Sequence, residues 1–366
     1  MTAGGPGALV IGAGIIGCAV AYHLARRGLR VELLDPEPGP SSTTRASLGV
    51  LTHFNGGDNP LSRLYRDGLD AYPDLSAALA EETGVEIGWE ETGGLDLVLD
   101  DEDEVQAREA LQYNLERSCP AEWVEGAALA DLEPAVAGRA RAAVFYPGDQ
   151  RVDPVRLRQG LLKGAELKGA TFRAGESAVG FAASSAQGVT VETRQGRYSA
   201  DLVVLAAGAR TAQLAGLLGA RVPVRPVRGQ QARFAAGRSI RRVLRQGGHH
   251  LVPDGETVVV GATVEEVGFD DQVTPEAATA FKSRLERVLG VCPVSPVPLA
   301  QRAGLRPKPK GARPLIGPLT DHPRVFVATG HYKNGILMGP ATGELVAEWL
   351  VSGRPGRDLS YFAPER

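Results

Sequence analysis

Three glycines near the start of the chain have a spacing that indicates chemistry, Gly12-x-Gly14-x-x-Gly17. In such a turn the first glycine permits the tight bend and the second lets a diphosphate approach the backbone. The third lets the following helix pack closely on a strand. Ile15 and Ile16 begin that helix, whose free N–H groups and partial positive charge attract phosphate. The spacing therefore predicts a dinucleotide-binding turn.

This turn needs a strand before it and a helix and strand after it, and the flanking sequence supplies all three. Residues 8–11 form a short apolar run that is typical of a buried parallel strand. Residues 18–27 predict a helix closed by Gly28, and residues 30–35 predict a second strand that ends at Asp35. An acid there accepts hydrogen bonds from ribose hydroxyls and disfavours a 2′-phosphate. We expect Asp35 to bind the ribose.

Two later segments predict strands of the same sheet, each ending in small residues. Residues 200–209 end in Ala-Ala-Gly-Ala, and residues 324–331 lead through a glycine into a helix at about 339–351. A discontinuous use of the whole chain favours a long flavin dinucleotide over NAD. The cofactor contacts expected here are Ala207, Gly208, Gly330, His331, Asn334, Gly335, Ile336 and Leu337.

Six segments occur in a characteristic order along the chain. They are the glycine turn, the polar stretch 41–49, the strand end 206–208, Gly-Leu-Arg-Pro at 304–307, Pro-Leu-Ile-Gly-Pro at 314–318, and Gly-His-Tyr-Lys-Asn-Gly-Ile-Leu at 330–337. Together they resemble the D-amino-acid oxidase family of FAD enzymes, and within it the glycine oxidases of thiamine biosynthesis. The resemblance covers essentially the whole chain.

This resemblance implies an α/β fold of the α+β, two-domain kind. A Rossmann-like FAD-binding domain would comprise residues 1–85, 150–225 and 300–366. An antiparallel-sheet substrate domain would comprise residues 86–149 and 226–299. The implied reaction is oxidative deamination of glycine or a similar small amino acid, which yields an imine or 2-oxo acid, ammonia and hydrogen peroxide. It would supply the thiazole branch of thiamine synthesis.

The polar stretch after the second strand is expected to cross the cofactor diphosphate. Its hydroxyl groups and its arginine suit phosphate. The residues concerned are Thr43, Thr44, Arg45, Ala46 and Ser47.

Three further residues are candidates for substrate binding and catalysis. Arg306 belongs to Gly-Leu-Arg-Pro, and its guanidinium can grip a carboxylate with two hydrogen bonds. Lys333 stands where the family usually has arginine, and His250 where tyrosine is common. The sequence leaves two roles open for Lys333, namely carboxylate binding and acceleration of oxygen reduction. His250 is expected to titrate near neutral pH.

Two valines are weaker candidates, because each is equally suited to a core. Val50 and Val264 are expected on the wall of the substrate pocket. The sarcosine-oxidase branch of the same family binds FAD covalently through a cysteine just before the corresponding arginine region. Here the stretch 300–305 contains no cysteine, and Cys292 lies upstream of it. The resemblance therefore implies that FAD is bound non-covalently.

Composition excludes several other classes of protein. The 366 residues carry a net charge of −3, which argues against a basic surface for nucleic acid or an anionic membrane. Three cysteines without a CxxC pair predict no disulfide scaffold, and the scattered histidines predict no metal site. No stretch is long and apolar enough for a membrane span. We expect a cytoplasmic enzyme acting on a small substrate and O2. The resemblance permits a homo-oligomer, which no sequence feature shows.

Other functions fit the same sequence features. One is a dehydrogenase of this fold that passes electrons to another acceptor. Another is an oxidase of sarcosine, of a D-amino acid or of a 2-hydroxy acid. A third is a flavin-binding protein without turnover, and Arg306 argues against it because a buried cation without a ligand is unfavourable.

Overall fold

A computed structural model describes residues 7–52, 57–185, 188–291, 293, 295 and 297–365. Its strands are β1 (Ala8–Ile11), β2 (Val31–Asp35), β3 (Val50–Leu51), β4 (Gly94–Val98), β5 (Glu122–Glu125), β6 (Ala142–Tyr146), β7 (Gln150–Arg151), β8 (Thr171–Ala174), β9 (Ala178–Ser185), β10 (Gly188–Thr193), β11 (Arg197–Ala200), β12 (Leu202–Leu205), β13 (Val224–Ala235), β14 (Val243–Gln246), β15 (His249–Asp254), β16 (Thr257–Gly261), β17 (Ala300–Pro309), β18 (Leu315–Pro318) and β19 (Val325–Thr329). Its helices are α1 (Ile15–Arg26), α2 (Ser42–Arg45), α3 (Pro60–Asp70), α4 (Tyr72–Thr83), α5 (Asp101–Leu115), α6 (Gly126–Leu132), α7 (Pro154–Leu167), α8 (Thr211–Gly216), α9 (Pro275–Leu289) and α10 (Gly335–Ser352), with short 3-10 turns at Pro134–Val136, Gly208–Arg210 and Ser360–Phe362.

The first sheet has six strands in the order β18-β19-β12-β1-β2-β8. All neighbours are parallel except β18, which runs antiparallel to β19. Every residue of β1 is buried, as expected for a strand covered on both faces. Helix α1 packs between α7 and α10, and their apolar residues form the largest core cluster. The carboxyl ends of β1 and β12 therefore open at one edge of the sheet, beside the glycine turn.

The second sheet has eight strands in the order β17-β13-β16-β15-β14-β4-β6-β5. All of its pairs are antiparallel except β14 with β4. Helix α9 covers one face and buries Phe281 in a core that also contains Phe234. Two small sheets complete the topology, β11-β10-β9 and β3-β7.

The sheets bear on the predicted division of the chain. Residues 300–309 were assigned by resemblance to the FAD-binding domain, yet they form β17 and pair along their length with β13 in the eight-stranded sheet. The division at 85, 149, 225 and 299 itself remains a prediction.

Predicted helices lie close to where the structure has them. The helix expected at 18–27 begins earlier, as α1, and the one expected at about 339–351 is α10, which also begins earlier. Asp153 caps α7 by accepting hydrogen bonds from the N–H groups of Val155 and Arg156, at 2.8 and 3.1 Å. No helix among the described residues is long and apolar enough to cross a membrane.

Candidate functional site

One cavity of about 1080 Å³ runs from the glycine turn of the first sheet to the face of the second. This volume lies at the upper end for small-molecule sites. The cavity brings together most of the residues singled out in the sequence. Those lining it are Gly12, Gly14, Ile15, Ile16, Asp35, Thr43, Thr44, Arg45, Ala46, Ser47, Val50, Ala207, Gly208, His250, Val264, Arg306, His331, Lys333, Asn334, Gly335 and Ile336. Gly17, Gly330 and Leu337 lie outside this lining.

The glycine turn is fixed by backbone contacts. Gly12 has φ of +106°, and a side chain there would place its Cβ 2.5 Å from the carbonyl oxygen of Ala206. Gly17 packs against the Gly12 carbonyl in the same way. Gly14 differs, since a Cβ there would make only ordinary van der Waals contacts, with Ser41 Oγ at 3.6 Å and Thr44 Oγ1 at 4.0 Å. The protein itself leaves Gly14 room for a side chain, so that position needs to stay small only for a ligand.

Asp35 closes the other side of the turn. Its Oδ2 accepts a hydrogen bond from the Ala13 N–H at 2.6 Å, and its Oδ1 accepts one from the Glu37 N–H at 2.8 Å. Burial raises the pKa of Asp35, and these two hydrogen bonds oppose the shift by favouring the carboxylate. The residue lines the cavity with lone pairs to spare, as a ribose acceptor requires.

Two helices begin at the cavity without a capping side chain. Neither Gly14 at the start of α1 nor Asn334 at the start of α10 makes a side-chain cap, and neither first turn contains an acid. The N-terminus of each helix carries unpaired N–H groups and a partial positive charge. Both ends therefore favour negative ligand groups, a diphosphate at α1 and a second anionic group at α10.

The polar stretch around α2 is held by the second sheet. The Thr43 hydroxyl donates to the Leu305 carbonyl at 2.9 Å, and the Arg45 carbonyl accepts hydrogen bonds from Gln231 and Arg302. The Arg45 side chain is exposed. Since the Thr43 proton is already used within the protein, this hydroxyl would offer a ligand only an acceptor oxygen.

His331 is a buried wall residue with one polar atom unsatisfied. Its Nε2 lies 2.9 Å from the Thr342 hydroxyl, while its Nδ1 is buried and has no hydrogen-bond partner among the described residues. Burial lowers the pKa of His331 to about 3, so the imidazole is neutral at ordinary pH.

Arg306 lies at the end of the cavity formed by the second sheet. Its guanidinium rests directly on Gly229, at a place that any Cβ would occupy. One nitrogen donates to the Thr263 carbonyl at 2.8 Å. Burial lowers the pKa of Arg306, although an arginine stays charged regardless. The remaining N–H groups are available to a ligand, because no carboxylate in the described parts of the chain pairs with this side chain.

His250 faces the same space from β15, paired in register with Gly261 of β16. Its pKa is lowered to about 3, first by burial and then by the charges of Arg245 and Lys333. The expectation that this histidine titrates near neutral pH is therefore wrong. His250 is a neutral hydrogen-bonding group and contributes no charge to the cavity.

Lys333 and Lys308 flank one aromatic ring. Their ammonium nitrogens each lie 5.7 Å from the centre of the Tyr332 ring. Tyr332 has φ of +50°, an uncommon conformation for a bulky residue and one that is frequent at binding sites. Lys308 pairs with Glu266 at 3.2 Å, whereas Lys333 lines the cavity.

Val50 and Val264 differ in their surroundings. Val50 packs against a small cluster that contains Val252 and Val259. Val264 is 51% exposed and borders the cavity.

Several contributors escaped the sequence analysis. Tyr65 of α3 lines the cavity and accepts a hydrogen bond from Asn334 Nδ2; burial raises its pKa to about 12. Arg158 of α7 lies beneath the turn and donates from Nε to the Ala13 carbonyl at 3.0 Å. No motif surrounds either residue. Gly229 could have been found, because a glycine opposite Gly304 in the β13–β17 pair leaves space beside the motif arginine.

Comparisons with known proteins show to which family the chain belongs. A family model described as FAD dependent oxidoreductase (DAO) matches residues 8–349. The chain belongs to this family. It is 30% identical to the glycine oxidase of Geobacillus kaustophilus over 366 residues, covering 98% of this chain and 96% of that protein. It is 31% identical to the glycine oxidase of Pseudomonas aeruginosa over 363 residues, covering 97% and 98% of the two chains.

Solved structures of the family share the fold. The crystal structure of glycine oxidase from Geobacillus kaustophilus has a TM-score of 0.90 at 26% identity, over 99% of this chain and 98% of that one. Iminodiacetate oxidase from Chelativorans sp. has a TM-score of 0.85 at 27% identity, over 98% and 99%. The predicted fold class is thereby confirmed, as is the resemblance to FAD-dependent oxidoreductases with glycine oxidases among the nearest relatives.

The residues present fit the family's cofactor. The turn leaves space at Gly14, the α1 N-terminus is uncapped, Asp35 offers acceptor oxygens, and His331 offers an unpaired ring nitrogen. FAD would be held along this line, with the diphosphate at α1. Cys292 lies outside the described residues. Non-covalent attachment therefore stays a prediction from the absence of cysteine at 300–305.

Proposed function

We propose that this FAD-dependent oxidoreductase is an oxidase that deaminates glycine or a similar small amino acid. The observation that carries the proposal is Arg306, a half-buried guanidinium at the cavity without a carboxylate partner among the described residues. A cation held in this way is stabilised when an anionic ligand supplies the missing charge. A substrate carboxylate is the planar anion that the guanidinium fork fits best.

The nearest acid does not satisfy Arg306. Glu265 acts on it electrostatically, but Glu265 accepts hydrogen bonds from Arg228 at 2.7 Å and from Gln230 at 3.0 Å. Thr263 takes one of the Arg306 N–H groups and so fixes the plane of the guanidinium. The substrate carboxylate would therefore meet a cation that is already oriented.

The chemistry that bound FAD would supply is two-electron oxidation of the substrate, with O2 as the final acceptor and hydrogen peroxide as the product. The chain's part is to hold the substrate. Arg306 fixes the carboxylate, and neutral His250 can accept or donate a hydrogen bond without repelling an ammonium or amine. The uncapped N-terminus of α10 favours negative charge beside it. No general base is required if the amine enters neutral.

The test is anaerobic reduction of the purified yellow protein. Glycine, sarcosine, D-alanine and a 2-hydroxy acid are each added, and loss of flavin absorbance is followed, with peroxide measured after oxygen is admitted. The proposal expects an amino acid to reduce the flavin and peroxide to form. Bleaching by the 2-hydroxy acid alone, or no bleaching by any of them, contradicts it. Bleaching without peroxide indicates a dehydrogenase.

Arg306→Met sharpens this test. Loss of a hydrogen-bonded charge pair typically removes about 1.5–3 kcal/mol, so kcat/KM should fall roughly ten- to a hundredfold. FAD affinity should stay unchanged, because Arg306 binds the substrate. Lys310→Met is the control, an exposed cation just past the end of β17. Equal kcat/KM in the Arg306 variant and the wild type would remove Arg306 from substrate binding.

The finer expectations belong to the same proposal. A cytoplasmic location, a supply of product to thiamine synthesis and a homo-oligomeric state all come from the family resemblance. The division into FAD-binding and substrate-binding domains belongs here too, with 300–309 on the sheet of the second.

A further inference from the structure

Four cations besides Arg306 line the cavity, namely Arg45, Arg194, Arg210 and Lys333. The Lys333 side chain is exposed, and no carboxylate in the described parts of the chain pairs with its ammonium group. Its neighbour Lys308 differs in this respect. Lys308 flanks the same Tyr332 ring at the same 5.7 Å, but its charge is met by Glu266 at 3.2 Å.

The charges that act on Lys333 are positive. Its pKa is lowered first by partial burial and then by the charges of Arg306 and Lys308. His250 is neutral and adds no compensating group. Three of the acids that line the cavity stand together near the glycine turn, where the Glu37 and Glu176 amides donate to Asp35. Asp271 also lines the cavity.

A monocarboxylate would use one of these two cations. Glycine brings one carboxylate, which Arg306 can take, and the exposed Lys333 then has no carboxylate partner beside it. A second acid group on the substrate would neutralise Lys333 as well. The lysine suits such a role, since its compact charge on a flexible stem adapts to substituents of different length.

We propose that the substrate of this enzyme is an amino dicarboxylate, whose α-carboxylate binds Arg306 and whose second acid group binds Lys333. The second carboxylate is carried either on the amine nitrogen or on the side chain. This inference rests on the proposed oxidase function and narrows its substrate class. Lys333 then acts as a specificity-determining residue.

The experiment compares matched pairs on the holoenzyme. Sarcosine is set against iminodiacetate, and D-2-aminobutyrate against D-aspartate, so that each pair differs mainly by the second carboxylate. Half-saturating concentrations for anaerobic flavin reduction are measured. We expect the diacid of at least one pair to be favoured by about tenfold, the lower end for a charge-assisted bond at a partly exposed site. This preference should shrink as salt is raised.

Three variants test whether Lys333 causes the preference for diacids. Lys333→Met should bring the diacid-to-monoacid ratio close to one, because the diacid loses a charge-assisted bond that the monoacid does not make. Lys333→Arg should keep the preference, and Lys308→Met, the matched control, should keep it too. A wild-type enzyme that favours monoacids in both pairs, or a Lys333→Met variant with the wild-type ratio, overturns the inference. So does a variant in which only flavin reoxidation slows, because Lys333 would then act on oxygen.

A binding measurement separates this inference from the oxidase proposal. Succinate and butyrate are titrated into the holoenzyme, and the shift in flavin absorbance gives their dissociation constants without turnover. Tighter binding of succinate that disappears in Lys333→Met supports the diacid site even if no amino acid reduces the flavin, which would refute the oxidase proposal alone. Equal binding of the two acids overturns the diacid site even if glycine is oxidised.

Discussion

The two ends of the cavity are built from different parts of the chain. At the glycine turn the groups that meet a ligand are backbone N–H groups, a carboxylate held by two amides and a small residue at Gly14. At the second sheet they are the long side chains of Arg306 and Lys333, neither of which pairs with a carboxylate among the described residues. A backbone-built end can change little without changing the fold, whereas a side-chain end can change its substrate through single substitutions.

The two ends also present different charged groups. Asp35, Glu37 and Glu176 line the cavity near the glycine turn, while Arg306 and Lys333 line it at the second sheet. Under the proposed function, the ribose of a dinucleotide would lie at the first end and an anionic substrate at the second.

The largest expected effect is at the backbone-built end. Gly12→Ala forces a side chain to within 2.5 Å of the Ala206 carbonyl at φ of +106°, so the turn must move. We expect FAD affinity to fall by more than about a hundredfold, roughly 2.7 kcal/mol, together with a lower melting temperature. Fluorescence titration with FAD and calorimetry measure both.

Two other glycine variants serve as comparisons for Gly12→Ala. Gly39→Ala adds a methyl group in open space and should change neither quantity. Gly14→Ala meets Ser41 Oγ at 3.6 Å and Thr44 Oγ1 at 4.0 Å, both ordinary contacts, so the apoprotein should melt as the wild type does while FAD binds more weakly. If Gly14→Ala binds FAD normally, the diphosphate does not approach the backbone there.

A smaller effect is expected at Arg158, which supports the same end from below. This buried arginine donates to the Ala13 carbonyl and places its charge near Asp35. Arg158→Met removes both, and we expect FAD to bind about tenfold more weakly, with kcat of the FAD-saturated enzyme unchanged. Arg156→Met, exposed on the same helix, serves as the control. A fall in kcat at saturating FAD would instead connect Arg158 to the substrate end.

The smallest effect concerns acid stability. The pKa of His250 and of His331 is lowered to about 3, so in the folded protein both stay neutral while the unfolded chain takes up protons below about 6.5. The two histidines therefore do not lower the free energy of unfolding above that pH, and this free energy declines as the pH falls towards 3. A neutral buried histidine contributes a slope of at most about 1.4 kcal/mol per pH unit.

His331 should contribute more than His250 to this change of the free energy of unfolding with pH. It is 3% exposed, whereas His250 is half-buried and its charge would be partly screened by water. Urea unfolding of the wild type and of His331→Gln at about pH 7 and about pH 5 tests this, with the variant less sensitive to acid. The same sensitivity in both proteins would show that His331 is protonated in the fold.

The sequence predicted the backbone-built end better than the side-chain end. Glycine spacing and a strand-ending acid encode local geometry, so Gly12, Gly14 and Asp35 could be placed from neighbouring residues alone. Arg306 was found because its motif is local too. Tyr65 reaches the cavity, and Arg158 reaches the Ala13 carbonyl beneath it, from helices distant in the chain. No local pattern marks such helix residues. The lowered pKa of His250 comes first from burial and then from the charges of Arg245 and Lys333, and only the folded chain produces these surroundings.

Strand β17 connects the two ends mechanically. A Cβ at Gly304 would lie 2.6 Å from Thr43 Cα, and the Leu305 carbonyl holds the Thr43 hydroxyl, while Arg306 follows directly. A displacement of this strand therefore moves the loop at the diphosphate and the cation at the substrate together. By thermodynamic reciprocity, the factor by which bound substrate tightens FAD equals the factor by which FAD tightens substrate. If that factor exceeds one, a cell rich in substrate keeps more of this enzyme loaded with FAD when FAD is scarce.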